Sequence, residues 1–378
     1  MRIGLGNAAS AAGKQAEHIP ALDGIRGLAV LMVVLQHYLL AQYDGKGWLI
    51  GLIGEIRLSL WIGVDLFFVL SGFLITGILL GSRSRAHYYR NFYIRRALRI
   101  FPLYYGVLLL LLLLTPLLRI DWRGATLPML TYLQNFVSLP TVLTAPLVTI
   151  PIVHFWSLDV EEHFYLIWPW AVRSSGKKLV LLGTSVAVAC LLLRIWFFSH
   201  GLSPTTIYTM TPFRIDSLIY GALAAILVRE ATPGTIHHVA TWVFSASAAA
   251  LGLLFVWERG LAWSHFIVCT FGASLLGLFF AALILLSLKE GSLWQWPFKR
   301  KWLRLLGTYS YGIYIIHYLI FGWVTHLRWD FARITHSKAL GVILSMLIGV
   351  VVTFGLAAAS YLFYESRWLR LKERFAPH

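Results

Sequence analysis

Ten apolar runs, each close to twenty residues long, divide the chain between residues 24 and 363. They lie near 24–42, 59–81, 98–118, 154–172, 179–199, 213–229, 239–257, 263–288, 307–326 and 338–363. Crossing about 30 Å of hydrocarbon takes roughly 20 apolar residues as a helix. In lipid, every backbone N–H and C=O must be satisfied internally, which leaves helices or closed barrels. The expected fold is therefore an all-α, polytopic integral membrane protein of about ten transmembrane helices. Composition agrees: 58% of residues are apolar and only 13% charged, against roughly 25% charged in soluble domains.

The net charge of +16 would point to nucleic acid in a soluble protein. Here Lys and Arg gather in alternate loops instead, so no nucleic-acid partner is expected. With the N-terminus inside, the inside segments hold 21 Lys and Arg and the outside loops 8. The positive-inside rule then puts both termini in the cytoplasm and predicts contact between the basic face and anionic lipid. The expected organisation is a cytoplasmic tail at 1–23, a membrane domain at 24–363 and a cytoplasmic tail at 364–378. Residues 126–150, with Pro128, Pro140 and Pro146, read as an extracytoplasmic loop with a short interfacial helix. Cys190 and Cys269 each lie inside an apolar run, a pattern of neither disulfide framework nor zinc site. No metal is expected.

A charge near the bilayer centre costs at least about 2.5–3.5 kcal/mol, so intramembrane polar residues call for a reason. Arg26 and His37 are eleven residues apart in the first run. Eleven residues make about three helical turns and a rise of about 16 Å, which puts both on one face. Arg26 sits at the cytoplasmic mouth, as an anchor or an anion ligand, and His37 near mid-membrane. The second run carries Asp65 and, at Ser71-Gly72, a small surface for close approach by a helix or ligand. Ahead of the third run, Arg95, Arg96 and Arg99 share one patch if helical. Three guanidiniums suit a polyphosphate, and the positive-inside rule accounts for them equally. The fourth run opens His154-Phe155-Trp156-Ser157-Leu158-Asp159-Val160-Glu161-Glu162. Asp159 and Glu162 share a face; one of the three carboxylates can pair with Arg214 or Arg194 as a structural salt bridge, and the others can orient a histidine or hold a hydroxyl substrate. Arg214-Ile215-Asp216 and the segment from Tyr309 to His317 present polar, aromatic faces fit to line a cavity.

These motifs, in this order, resemble the type-3 acyltransferase family of bacterial membrane enzymes, which O-acylate surface glycans and some small hydroxylated metabolites. The matching pieces are Leu22-Asp23-Gly24-Ile25-Arg26-Gly27 through His37, Asp65 to Phe73, Arg95 to Pro102, Trp156 to Glu162, Arg214 to Asp216 and Tyr309 to His317. Glu365-Ser366-Arg367 departs from the family by lacking the proline of Glu-x-Pro. The chain stops at His378, which reads as the stand-alone form without a periplasmic hydrolase-like domain. The resemblance implies acyl transfer, acetyl being usual, from cytoplasmic acyl-coenzyme A to a hydroxylated glycan acceptor across the cell membrane. It makes His37 the general base or the acyl carrier, with Glu161 and Glu162 orienting it or binding sugar. Arg26, Arg95, Arg96 and Arg99 would hold the phosphates of acetyl-coenzyme A. Asp65, Ser71, Asp159, Arg214, Asp216 and His317 would bind substrate. The rivals are a transporter or flippase of a lipid-linked sugar, and an enzyme acylating a lipid or small molecule.

Overall fold

The computed structural model describes residues 19–39, 48–137, 142–145 and 148–376. Most of the expected N-terminal tail, together with Pro140 and Pro146, lies outside the described residues. The helices are α1 (Pro20–Tyr38), α2 (Trp48–Ser59), α3 (Ile62–Ser82), α4 (Tyr88–Leu118), α5 (Thr126–Leu130), α6 (Trp156–Ser175), α7 (Leu179–Ser199), α8 (Pro204–Thr209), α9 (Thr211–Glu230), α10 (Pro233–Glu258), α11 (Ala273–Ser287), α12 (Lys301–Leu319), α13 (Phe321–Ile334), α14 (Lys338–Ser360) and α15 (Ser366–Phe375). Seven helical stretches among the described residues are long and apolar enough to cross a membrane, and one of them, Val153–Ser199, contains both α6 and α7. The protein is an all-α, multi-pass membrane protein.

Each of the ten apolar runs falls on a helix, but three local features differ from expectation. The ninth run is broken after Leu319, where α12 ends and the separate helix α13 begins at Phe321. The helix α2 precedes the second run. The segment 126–150, expected as a loop, holds besides the short helix α5 an antiparallel hairpin of β1 (Val142–Ala145) and β2 (Val148–Pro151). Its strands are four residues each, too short for a hydropathy window to register.

Helix starts follow from local chemistry. Thr232 caps α10 by accepting the Thr235 N–H, with Pro233 at the first helical position. Ser337 caps α14 through the Leu340 N–H. Such caps satisfy donors that have no partner within the helix. The 31 residues of α4 span about 46 Å at 1.5 Å each, well beyond the hydrocarbon thickness.

The chain forms two compact units. Unit 1 comprises residues 1–29, 62–88 and 161–308, and unit 2 residues 30–61, 89–160 and 309–378. In unit 1, α9 packs against α3, α7 and α11, and α10 against α11. A Cβ added at Gly72 of α3 would stand 1.9 Å from the Leu218 carbonyl oxygen, and one at Gly221 of α9 would stand 1.9 Å from that of Val69. The two backbones therefore touch, which only glycine permits. In unit 2, α13 packs against α14 and against β2.

Candidate active site

Unit 1 buries four charges as two ion pairs. Arg214 Nη2 lies 2.7 Å from Asp65 Oδ1, and Arg194 Nη2 lies 2.7 Å from Asp216 Oδ2. All four side chains are at most 2% exposed. Hydroxyls complete the network: Ser217 donates to Asp65 Oδ1 at 2.9 Å, and Ser274 donates to Asp216 Oδ2 at 3.3 Å. Arg194 also donates to the Phe213 carbonyl at 2.6 Å, and the Tyr208 ring lies 5.0 Å from the Arg214 guanidinium carbon. Two positive and two negative charges cancel inside a membrane-embedded bundle, where an unpaired charge would be far costlier. Asp65 reaches Arg214 because it sits on α3, which packs directly on α9.

Unit 1 also carries Arg26, Ser71, Glu161 and Glu162. Arg26 lies 3.3 Å from Asp23, one turn earlier on α1. The Ser71 hydroxyl hydrogen-bonds to that of Tyr165. Glu161 and Glu162 are half-buried on α6.

Unit 2 gathers three imidazoles. His37 lies in the last turn of α1, His154 in a single 3₁₀ turn just before α6, and His317 in the last turn of α12. The His317 ring centroid is 5.1 Å from that of His37 and 5.5 Å from that of His154. The Tyr318 ring lies 4.2 Å from His37 and 5.3 Å from His154. Hydrogen bonds from Tyr38 and Tyr314 bring these segments together. Tyr38, wholly buried, donates its hydroxyl to the His317 carbonyl at 2.8 Å and takes a hydrogen bond from Thr353 of α14 at 2.7 Å. Gly349 leaves room for that phenol, since a Cβ there would stand 3.0 Å from its ring. Tyr314 donates to the His154 carbonyl at 2.7 Å and hydrogen-bonds to Ser157, fixing the turn that carries His154.

The hydrogen bonds assign the ring protons, because a carbonyl can only accept. His317 Nδ1 lies 2.7 Å from the Tyr314 carbonyl oxygen, so it carries the proton and leaves a lone pair on Nε2. His37 Nδ1 lies 2.8 Å from the Val33 carbonyl oxygen and 3.3 Å from His317 Nε2. Its single N–H serves both acceptors, and the lone pair of His37 is on Nε2. His154 Nε2 lies 3.3 Å from the Ile315 carbonyl oxygen, which puts its lone pair on Nδ1. That nitrogen is buried and has no hydrogen-bond partner among the described residues. Leaving a buried acceptor unmet costs about 1–3 kcal/mol.

Two further groups in unit 2 were expected from sequence. Asp159 is fully buried, and its Oδ2 accepts the Asn135 N–H at 3.0 Å, anchoring the loop ahead of the hairpin. Arg95, Arg96 and Arg99 occupy the N-terminal half of α4. Arg95 donates to the Ala376 carbonyl at 2.9 Å, Arg96 lies over the Phe92 ring, and Arg99 is exposed. Lys372 of α15 lies within electrostatic reach of all three, adding a fourth positive charge to the patch.

The structure thus joins His37 to His317, and Asp65 to Arg214. Sequence reasoning missed the part played by His154. Its signal was a histidine at the mouth of a membrane run, which reads equally as an interfacial residue. Tyr38 and Thr353 carried no signal, because a single phenol or hydroxyl in an apolar run is ordinary.

A family profile described as an acyltransferase domain matches residues 19–362. The peptidoglycan O-acetyltransferase of Listeria monocytogenes serovar 1/2a is 27% identical over 388 residues, covering 93% of this chain and 56% of that protein. A Bacillus subtilis protein provisionally named a peptidoglycan O-acetyltransferase is 28% identical, covering 92% of this chain and 54% of its own length. A Staphylococcus aureus protein, provisionally named an O-acetyltransferase, is 27% identical, with 82% and 52% covered. The chain spans about half the length of these relatives. No solved structure matches it at a significant level.

Proposed function

We propose, for a chain that belongs to the acyltransferase-domain family, that it carries an acyl group, in the first instance acetyl, from cytoplasmic acyl-coenzyme A to a hydroxyl of a surface glycan of the peptidoglycan type. The acceptor class is supported by the names of its relatives, and a cell-membrane location by its apolar helices. The observation that carries the reading is the His37 imidazole, whose hydrogen bonds leave Nε2 with a free lone pair in a buried cluster.

That lone pair serves either of two routes. As a general base, Nε2 takes the hydroxyl proton while the oxygen bonds to the thioester carbonyl carbon. The C–S bond then breaks, and the departing thiolate receives the proton, giving ester and free thiol. As a nucleophile, Nε2 itself bonds to the carbonyl carbon while the C–S bond breaks and the thiolate leaves; the hydroxyl oxygen later displaces the imidazole, and its proton ends on the thiolate. In both, His317 holds His37 in the working tautomer. Arg95, Arg96 and Arg99 supply forked donors for coenzyme A phosphates, with Lys372 adding to their field, and Arg26 is the remaining candidate phosphate ligand. Glu161, Glu162 and Ser71 are candidate partners for hydroxyls of the acceptor.

The test compares O-acetylation of surface glycan in cells carrying wild type or His37→Ala at matched membrane levels. Loss of the modification supports the reading, and normal acetylation by the variant overturns it.

A further inference from the structure

The three imidazoles of unit 2 are not equivalent. His317 spends both nitrogens inside the protein, one on the Tyr314 carbonyl and one on His37. His37 keeps Nε2 for the reaction. His154 is 4% exposed, yet its Nδ1 has no partner among the described residues. Buried polar atoms of native proteins are nearly always paired, so one left open needs an explanation.

Nearby donors are already committed. The Tyr314 hydroxyl goes to the His154 carbonyl, the His317 N–H to the Tyr314 carbonyl, and the His37 N–H to the Val33 carbonyl and His317. The donor for His154 therefore comes from none of these three residues. Its chemistry follows from what surrounds the nitrogen. An anion would face the lone pair of His154 Nδ1. A cation would find neutral rings, Tyr314, His317 and Tyr318, within 5.7 Å of the His154 ring, and no carboxylate among those ring contacts. A neutral hydroxyl satisfies an open imidazole nitrogen and needs no counter-charge. The Tyr318 ring packs against both His37 and His154.

We propose that His154 is an acceptor-binding residue: its Nδ1 receives the hydrogen bond of a hydroxyl on a neutral, polyhydroxylated substrate. The assignment rests on the acyl-transfer reading of the His37 cluster. The ring is held for this task by Ile315 through Nε2 and by Tyr314 and Ser157 through its own carbonyl.

The test uses the full chain in lipid nanodiscs with acetyl-coenzyme A as donor and an N-acetylglucosamine tetrasaccharide as acceptor. His154→Leu removes the open nitrogen and keeps apolar bulk, whereas His154→Asn leaves an acceptor oxygen near its place. The expected result for His154→Leu is an acceptor KM raised about tenfold, with the acetyl-coenzyme A KM and the Tm unchanged. His154→Asn recovers most of that loss. An unchanged acceptor KM in His154→Leu overturns the proposal and leaves buried water as the partner. Parallel loss in both KM values with a lowered Tm also overturns it, in favour of a purely structural histidine. If His154→Leu does not fold, an acceptor KM for His154→Asn within twofold of wild type supports the proposal, and a tenfold rise overturns it. Should wild type transfer nothing to the tetrasaccharide, the acyl-transfer reading for this acceptor fails by itself. Calorimetric binding of the tetrasaccharide to wild type and variants then decides the role of His154: tenfold weaker binding by His154→Leu supports it, and equal or undetectable binding overturns it.

Discussion

His317 Nε2 lies 3.3 Å from His37 Nδ1, and the Tyr314 carbonyl behind it leaves that nitrogen able only to accept. A neutral imidazole here occupies the position that a carboxylate fills in many base-orienting pairs, and it does so without adding a charge to the membrane interior.

From this pairing, His317→Leu is expected to lower kcat about 10–100-fold with little change in acetyl-coenzyme A KM, because the reacting ring loses its orientation rather than a substrate contact. His317→Gln, whose amide oxygen can accept the His37 N–H, recovers part of the rate. Steady-state kinetics on matched preparations check this. Equal kcat in both variants and wild type would remove His317 from the machinery.

The ion pairs of unit 1 make a different demand. Arg214→Met strands the Asp65 carboxylate and is expected to destabilise by about 3–5 kcal/mol. Adding Asp65→Leu to Arg214→Met restores much of that loss, since the buried charge is then gone. Denaturant unfolding in detergent, run as a double-mutant cycle, measures the coupling. Purely additive losses would contradict the pairing.

The contact between α3 and α9 leaves no space for a methyl group. Gly72→Ala and Gly221→Ala each press a Cβ onto a backbone carbonyl 1.9 Å away, and backbone cannot rotate aside as a side chain can. Each is expected to cost about 1–3 kcal/mol and to lower Tm. Gly252, where an added Cβ meets nothing within 4 Å, is the control: Gly252→Ala should leave Tm unchanged or raised.

The basic patch on α4 predicts a nucleotide effect. Replacing Arg95, Arg96 and Arg99 together by Gln should raise the acetyl-coenzyme A KM at least tenfold. It should also flatten the dependence of KM on salt, since screened charge–charge attraction is what is lost. A KM that stays salt-sensitive in the triple variant would locate the phosphate site elsewhere.

The all-helical, membrane-spanning character was legible because a membrane span is written in hydrophobicity over about twenty residues, and seven described stretches are long and apolar enough to cross. The break at Ile320 was not, because apolar residues continue through it from Leu319 to Phe321 and only backbone geometry ends the helix. His37 and His317 were legible as intramembrane polar residues, each needing a reason. Their mutual contact was hidden, since 280 residues separate them and no local period records the distance. The same holds for Asp65 and Arg214: the charges were conspicuous, their pairing was not. The tautomers depend on carbonyls of Val33, Tyr314 and Ile315, and backbone acceptors leave no trace in residue identity.

The grip of Tyr38 on the His317 carbonyl and on Thr353 has a mechanical meaning. Tyr38 is the next residue after His37, so the ring proposed to react is mounted on a backbone whose neighbouring link is bolted at both ends. Play in the mounting is removed one residue away from that ring, which leaves its Nε2 unencumbered. Position and reactivity are thereby assigned to adjacent side chains, and neither has to compromise for the other.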